Sequence, residues 1–86
     1  MSILSRLVGT KYNDPKLVEV MERAIVADPL ITDAASFTVT SEKGVVTLMG
    51  VVHRPQERER IAAVVHSAVR NADLQFERIE NQILVR

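Results

Sequence analysis

The chain has 86 residues, 47% of them hydrophobic, with 11 Lys and Arg balanced by 11 Asp and Glu and no cysteine. That length holds one small domain, whose large surface for its volume obliges it to commit its apolar residues to a single core. Without cysteine there are no disulfides, thiolate nucleophiles or cysteine zinc sites. The neutral balance gives little long-range pull on phosphate, so no nucleic-acid partner is expected.

Residues 1–13 read as a lead-in segment and residues 14–86 as the domain. Ile3, Leu4, Leu7 and Val8 are spaced for one or two amphipathic turns, which Gly9 through Asn13 then break. The segment lacks the basic start and apolar run of a signal peptide. No stretch nears the roughly 20 apolar residues of a membrane span. As written, the sequence points to the cytoplasm, and to the periplasm only if a leader has been removed.

Asp14-Pro15 has the form of a helix start, with Asp capping free amides and Pro in the first position. Leu17, Val20, Met21, Ala24 and Ile25 follow at helical spacing, and Asp28-Pro29 stops the helix, predicting a helix over 15–27. Residues 30–35 connect. Phe37 and Val39 alternate with Ser36, Thr38 and Thr40 as a half-buried strand, Ser41 to Gly44 forms a turn, and Val45 to Val52 forms the second strand of a hairpin. Gly44 supplies a positive φ in that turn. Pro55 opens a second helix over 55–71, with Ile61, Val64, Val65, Ala68 and Ala72 as its apolar stripe, Val69 on the margin and His66 on the solvated side. A last strand runs near 76–85. The expected fold is α+β: a two-layer sandwich in the order α-β-β-α-β, with two helices on one face of a three-stranded sheet.

Three stretches stand together in that order: Asp28-Pro29-Leu30, Lys43 to Val52, and Ile79-Glu80-Asn81-Gln82-Ile83-Leu84-Val85. They resemble the BON domain, whose pattern is a turn Gly, then Val-x-Leu-x-Gly-x-Val, a helix, and Val-x-Asn-x-Leu-x-Val. The family usually has a Gly-Val pair before its last strand, where this chain has Ala72-Asp73-Leu74-Gln75-Phe76 in a longer link. The resemblance implies a non-enzymatic binding module that contacts anionic phospholipid or an envelope- or stress-associated bacterial partner.

The residues themselves add detail. Val46, Leu48, Gly50 and Val52 share one strand face, where Gly50 leaves a gap for a helix backbone to approach. Arg54 and Arg58 lie four apart along the apolar side of the second helix; their stems cover apolar surface and their heads reach water. Beside free helix-start amides they form a candidate site for a lipid phosphate or a partner carboxylate. Val45, Thr47, Met49, Val51 and Leu84 point away from the helices. That apolar outer face is a candidate surface for self-association or for docking of the lead-in segment, and the alternative function is an oligomeric assembly module. The serines have no glycine elbow, His53 and His66 have no catalytic or metal-ligand constellation, and the glycines are too scattered to cradle phosphates. No catalytic residue, metal or cofactor is implied.

Overall fold

The computed structural model describes residues 11–86. The amphipathic spacing of Ile3, Leu4, Leu7 and Val8 lies outside the described residues. The elements are α1 (Asp14–Ala27), a short 3-10 turn (Ala34–Ser36), β1 (Thr38–Glu42), β2 (Val45–Val52), α2 (Pro55–Asn71) and β3 (Arg78–Val85). The sheet order is β1-β2-β3. β1 and β2 are antiparallel, with Glu42 opposite Val45, and β2 and β3 are parallel, with Val45 opposite Arg78 and Val52 opposite Val85. Two parallel neighbours need a crossover, and α2 is that crossover. α1 packs against α2 and β1, and α2 against β2 and β3, giving the expected two layers.

The core lies between the layers. Leu17, Met21 and Ile25 come from α1; Ile61, Val65 and Val69 from α2; Val39, Val46, Leu48, Val52 and Ile83 from the sheet. The α2 stripe is therefore rotated from the one expected. Val69 is fully buried and Ala72 exposed, because the helix ends at Asn71 and its buried line runs straight along 61, 65 and 69.

The helix start also differs. The cap of α1 is Asn13, whose side chain accepts from the Lys16 amide at 3.2 Å. Asp14 instead reaches across to the hairpin. Its carboxylate accepts from Ser41 Oγ at 2.7 Å, from the Lys43 amide at 2.7 Å and from the Gly44 amide at 2.9 Å. Lys43 and Gly44 both have positive φ, the signature of a type I′ turn, so the turn occupies two residues and Ser41 and Glu42 belong to β1. Successive amides in such a turn form an anion-binding concavity, and here the anion is the protein's own Asp14. Tyr12 closes the cluster. Its ring lies where a Gly44 side chain would go, 2.6 Å from the ideal Cβ, and its hydroxyl donates to Glu77 Oε1 at 2.6 Å.

Gly50 faces the core side as expected, but no helix backbone fills its gap. The occupants are the Phe37 ring, 2.5 Å from an ideal Cβ, and the Ser36 carbonyl at 3.1 Å. Phe37 thus ends the 3-10 turn and folds over Gly50, which is why β1 begins at Thr38.

The link after α2 closes in a Schellman pattern. The Leu74 amide bonds Val69 O at 3.1 Å and the Asp73 amide bonds Arg70 O at 3.0 Å, with Asp73 at φ +58. Asp73 holds the left-handed conformation that glycine usually takes at this point.

Two substitutions test these backbone constraints by urea unfolding. Gly50→Ala, which also strains a φ of +153, is expected to cost about 1–3 kcal/mol by overpacking Phe37. Asp73→Gly is expected to stabilise by roughly 0.5–1 kcal/mol, the balance of a left-handed penalty of about 1–2 kcal/mol against glycine's greater unfolded-state entropy of about 0.4–1 kcal/mol.

Candidate functional site

Parallel pairing brings the C-terminal ends of β2 and β3 to one end of the molecule. Val51 lies beside Leu84 and Val52 beside Val85. The Arg86 amide continues the ladder, donating to Val52 O at 2.8 Å. This end is apolar and open: Met49 is 48% exposed, Val51 43%, Leu84 51% and Val85 42%. Val45 and Thr47, nearer the hairpin turn on the same outer face, are only half-buried. That face becomes polar there, where Arg78 and Glu80 pair at 3.0 Å. The exposed apolar side chains of the outer face, Met49, Val51 and Leu84, therefore lie toward the strand ends, and Val85, beside buried Val52, adds to them from the helix-facing side.

Basic residues rim this end. His53 and Arg54 form the exposed bend from β2 into α2, and Arg86 is exposed at the close of β3. The Arg54 side chain has no acceptor and cannot cap the helix. Glu57 does the capping from within, its Oε1 accepting from the His53 amide at 3.0 Å and the Arg54 amide at 3.0 Å. Those two bonds, first to His53 and then to Arg54, hold the Glu57 carboxyl below its usual pKa. Glu57 meets the backbone of His53, not its ring.

Arg58 departs from expectation. Its head does not reach into water as a free cation. Nε donates to Ile83 O at 2.9 Å and Nη2 to Asn81 O at 2.8 Å, and the side chain is half-buried. Asn81 completes the clasp: its Oδ1 accepts from the Ile83 amide at 3.1 Å, and its Nδ2 donates to Arg58 O at 3.4 Å. The helix-start amides are also largely committed. Pro55 has no amide hydrogen, the Glu57 amide turns back to Arg54 O at 3.1 Å, and the His53 and Arg54 amides are taken by the Glu57 carboxylate.

Of the predicted pair, Arg54 stands at the open end and Arg58 is built into the fold. Arg86 and Val85 were not singled out from the sequence. Only the parallel register sets them beside His53 and Val52, and strand alternation carries no signal of partner or direction.

Gly44, Gly50 and Asn81, the fixed points of the expected family pattern, each make a specific contact. The family comparison agrees with this geometry: the BON domain model matches residues 13–86. The chain belongs to the BON domain family. A search of curated proteins gave no match. BON domains are non-catalytic, binding-type domains. In this BON domain, Asp28 of the Asp28-Pro29-Leu30 stretch caps the end of α1, accepting from the Leu30 amide at 2.8 Å and pairing with Arg60 at 2.7 Å. Nothing in the structure explains the Leu30 side chain, which is 66% exposed. Among the described residues no group of His, Cys, Asp and Glu is arranged to hold a metal ion, and no helix is long and apolar enough to cross a membrane.

Three carboxylates hold the backbone in place, and each has a lowered pKa. Asp14 is lowered first by the Gly44 amide and then by Ser41, Asp28 first by Arg60 and then by the Leu30 amide, and Glu57 by the His53 and Arg54 amides. A depressed folded-state pKa gives stability that is present above the unfolded value and is lost as pH falls through the folded value. The melting temperature is therefore expected to fall progressively below about pH 4. Asp14→Asn should lower it at neutral pH and make the acid limb shallower, as read by thermal melts across pH.

Proposed function

We propose that this BON domain is a binding module that attaches to an anionic lipid surface through the open ends of β2 and β3. The observation that carries the proposal is the meeting of exposed Met49, Val51, Leu84 and Val85 with Arg54, His53 and Arg86 at one end of the sheet. Apolar side chains enter the headgroup region while basic ones meet lipid phosphates, and each arginine near an anionic surface contributes about 1 kcal/mol. Glu57 offsets part of the positive charge, but its carboxylate is turned onto backbone amides. Arg58 takes no part, because its guanidinium is committed to β3. The contact is weak and reversible, as suits a domain with a small apolar end and few cations.

Flotation with phosphatidylglycerol–phosphatidylethanolamine vesicles, compared with phosphatidylcholine vesicles, tests this. Binding is expected only to the anionic vesicles. Arg54→Ala and Arg86→Ala should each weaken it by roughly fivefold, corresponding to about 1 kcal/mol. Leu84→Ser should weaken it further without changing its salt dependence. Absence of binding to the anionic vesicles overturns the lipid reading and turns the same surface toward an envelope- or stress-associated protein partner.

A further inference from the structure

Among the described residues β3 ends the sheet, so one side of its backbone pairs with β2 and the other faces away. The Arg78 amide reaches back to Gly44 O at 3.4 Å and the Arg86 amide to Val52 O at 2.8 Å. Backbone direction alternates along a strand. Even-numbered residues of β3 therefore face β2, and Ile79, Asn81, Ile83 and Val85 face the margin. An eight-residue strand with an open margin is a template for pairing with another chain, and proteins blunt such margins with charge, proline, bulges or covering groups.

The Arg58–Asn81 clasp sits at the centre of this margin. It takes three outward backbone groups: the Asn81 carbonyl, the Ile83 carbonyl and the Ile83 amide. Any strand added to β3 needs those same groups. Arg58, which holds the two carbonyls, belongs to the crossover helix, while Asn81 of β3 itself holds the amide, so closing the margin and docking α2 are coupled. On either side of the clasp Val85 is 42% exposed and Ile79 half-buried. The surface beyond the guard is thus apolar enough to pair once its backbone is released.

We propose that the outer margin of β3 is a strand-pairing surface held shut by Arg58 with Asn81, and that the partner it excludes is the same margin of a second copy of this chain. An antiparallel pair centred on Gln82 sets Asn81 opposite Ile83 of the partner subunit and Ile79 opposite Val85 of the partner subunit. Every outward backbone group then has a mate. A second copy is the natural occupant because, once its own clasp opens, it presents the same margin in matching register. This inference does not rest on lipid attachment: Arg58 and Asn81 are not part of that surface, which shares only Val85 with the margin.

Light scattering across a concentration series tests it, with circular dichroism to establish that each variant is folded. The parent and Arg54→Ala are expected to give a constant monomer mass. Arg58→Ala should give a mass that rises with concentration toward the dimer. Adding Val85→Pro, which removes an outward amide from the margin, should return that variant to monomer. Arg58→Lys keeps the charge and most of the stem but loses the two-pronged bond; it should dimerise more weakly than the alanine variant, and it decides the question if Arg58→Ala does not fold. A folded Arg58 variant that stays monomeric at the highest concentration overturns the proposal. So does dimerisation that Val85→Pro leaves untouched, or an equal tendency in Arg54→Ala.

Discussion

The parallel pairing of β2 with β3 organises this molecule. Pairing Val45 with Arg78 and Val52 with Val85 demands a connection that returns the chain to the same end of the sheet, and α2 supplies it. The connection buries Ile61, Val65 and Val69 against Val46, Leu48, Val52 and Ile83. It also fixes where function can reside. Strand ends that run in one direction finish together, so the exposed side chains of Val51, Leu84 and Val85 and the basic bend at Arg54 converge without any dedicated loop.

The same pairing decides the two fates of the Arg54 and Arg58 side chains. They lie one helical turn apart and look equivalent in the sequence. Arg54 precedes the helix and stays in solvent, whereas Arg58 enters the first turns of α2 directly over the β3 margin. Two charge-assisted bonds to backbone carbonyls are worth more to a half-buried guanidinium than hydration at a crowded edge. A cation that reads as a ligand site from its type and spacing becomes a structural brace because a strand contributed from residues further on passes within its reach.

Backbone amides elsewhere in the fold are satisfied by carboxylates in the same manner. Asp14 fills the concavity of the Lys43-Gly44 turn, Glu57 gathers the amides of the β2–α2 bend, and Asp28 closes the end of α1. The Glu57 and Asp28 contacts to amides are local and the Asp14 contact joins α1 to the hairpin; all spare a small core the cost of unpaired polar groups. Of the three, Glu57 lies at the open strand ends, where its carboxylate is turned onto the His53 and Arg54 amides.

The sequence by itself determined the element order, both helices to within a residue, the β2 strand and its inward face, and the family. Those features follow from periodicities of two and 3.6, from proline and glycine at boundaries, and from short motifs, all of which act over a few neighbouring residues. Tertiary structure alone decided that Phe37, not a helix backbone, covers Gly50; that Asp73 serves where glycine is usual; that Asp14 binds the hairpin turn while Asn13 caps the helix; and that Arg58 belongs to β3 while Arg86 joins the open end. For Phe37, Asp14, Arg58 and Arg86 the partner lies on another element, and which element comes alongside is set by strand register and by the packing of the layers. Neither quantity is written in the spacing of residues along one segment.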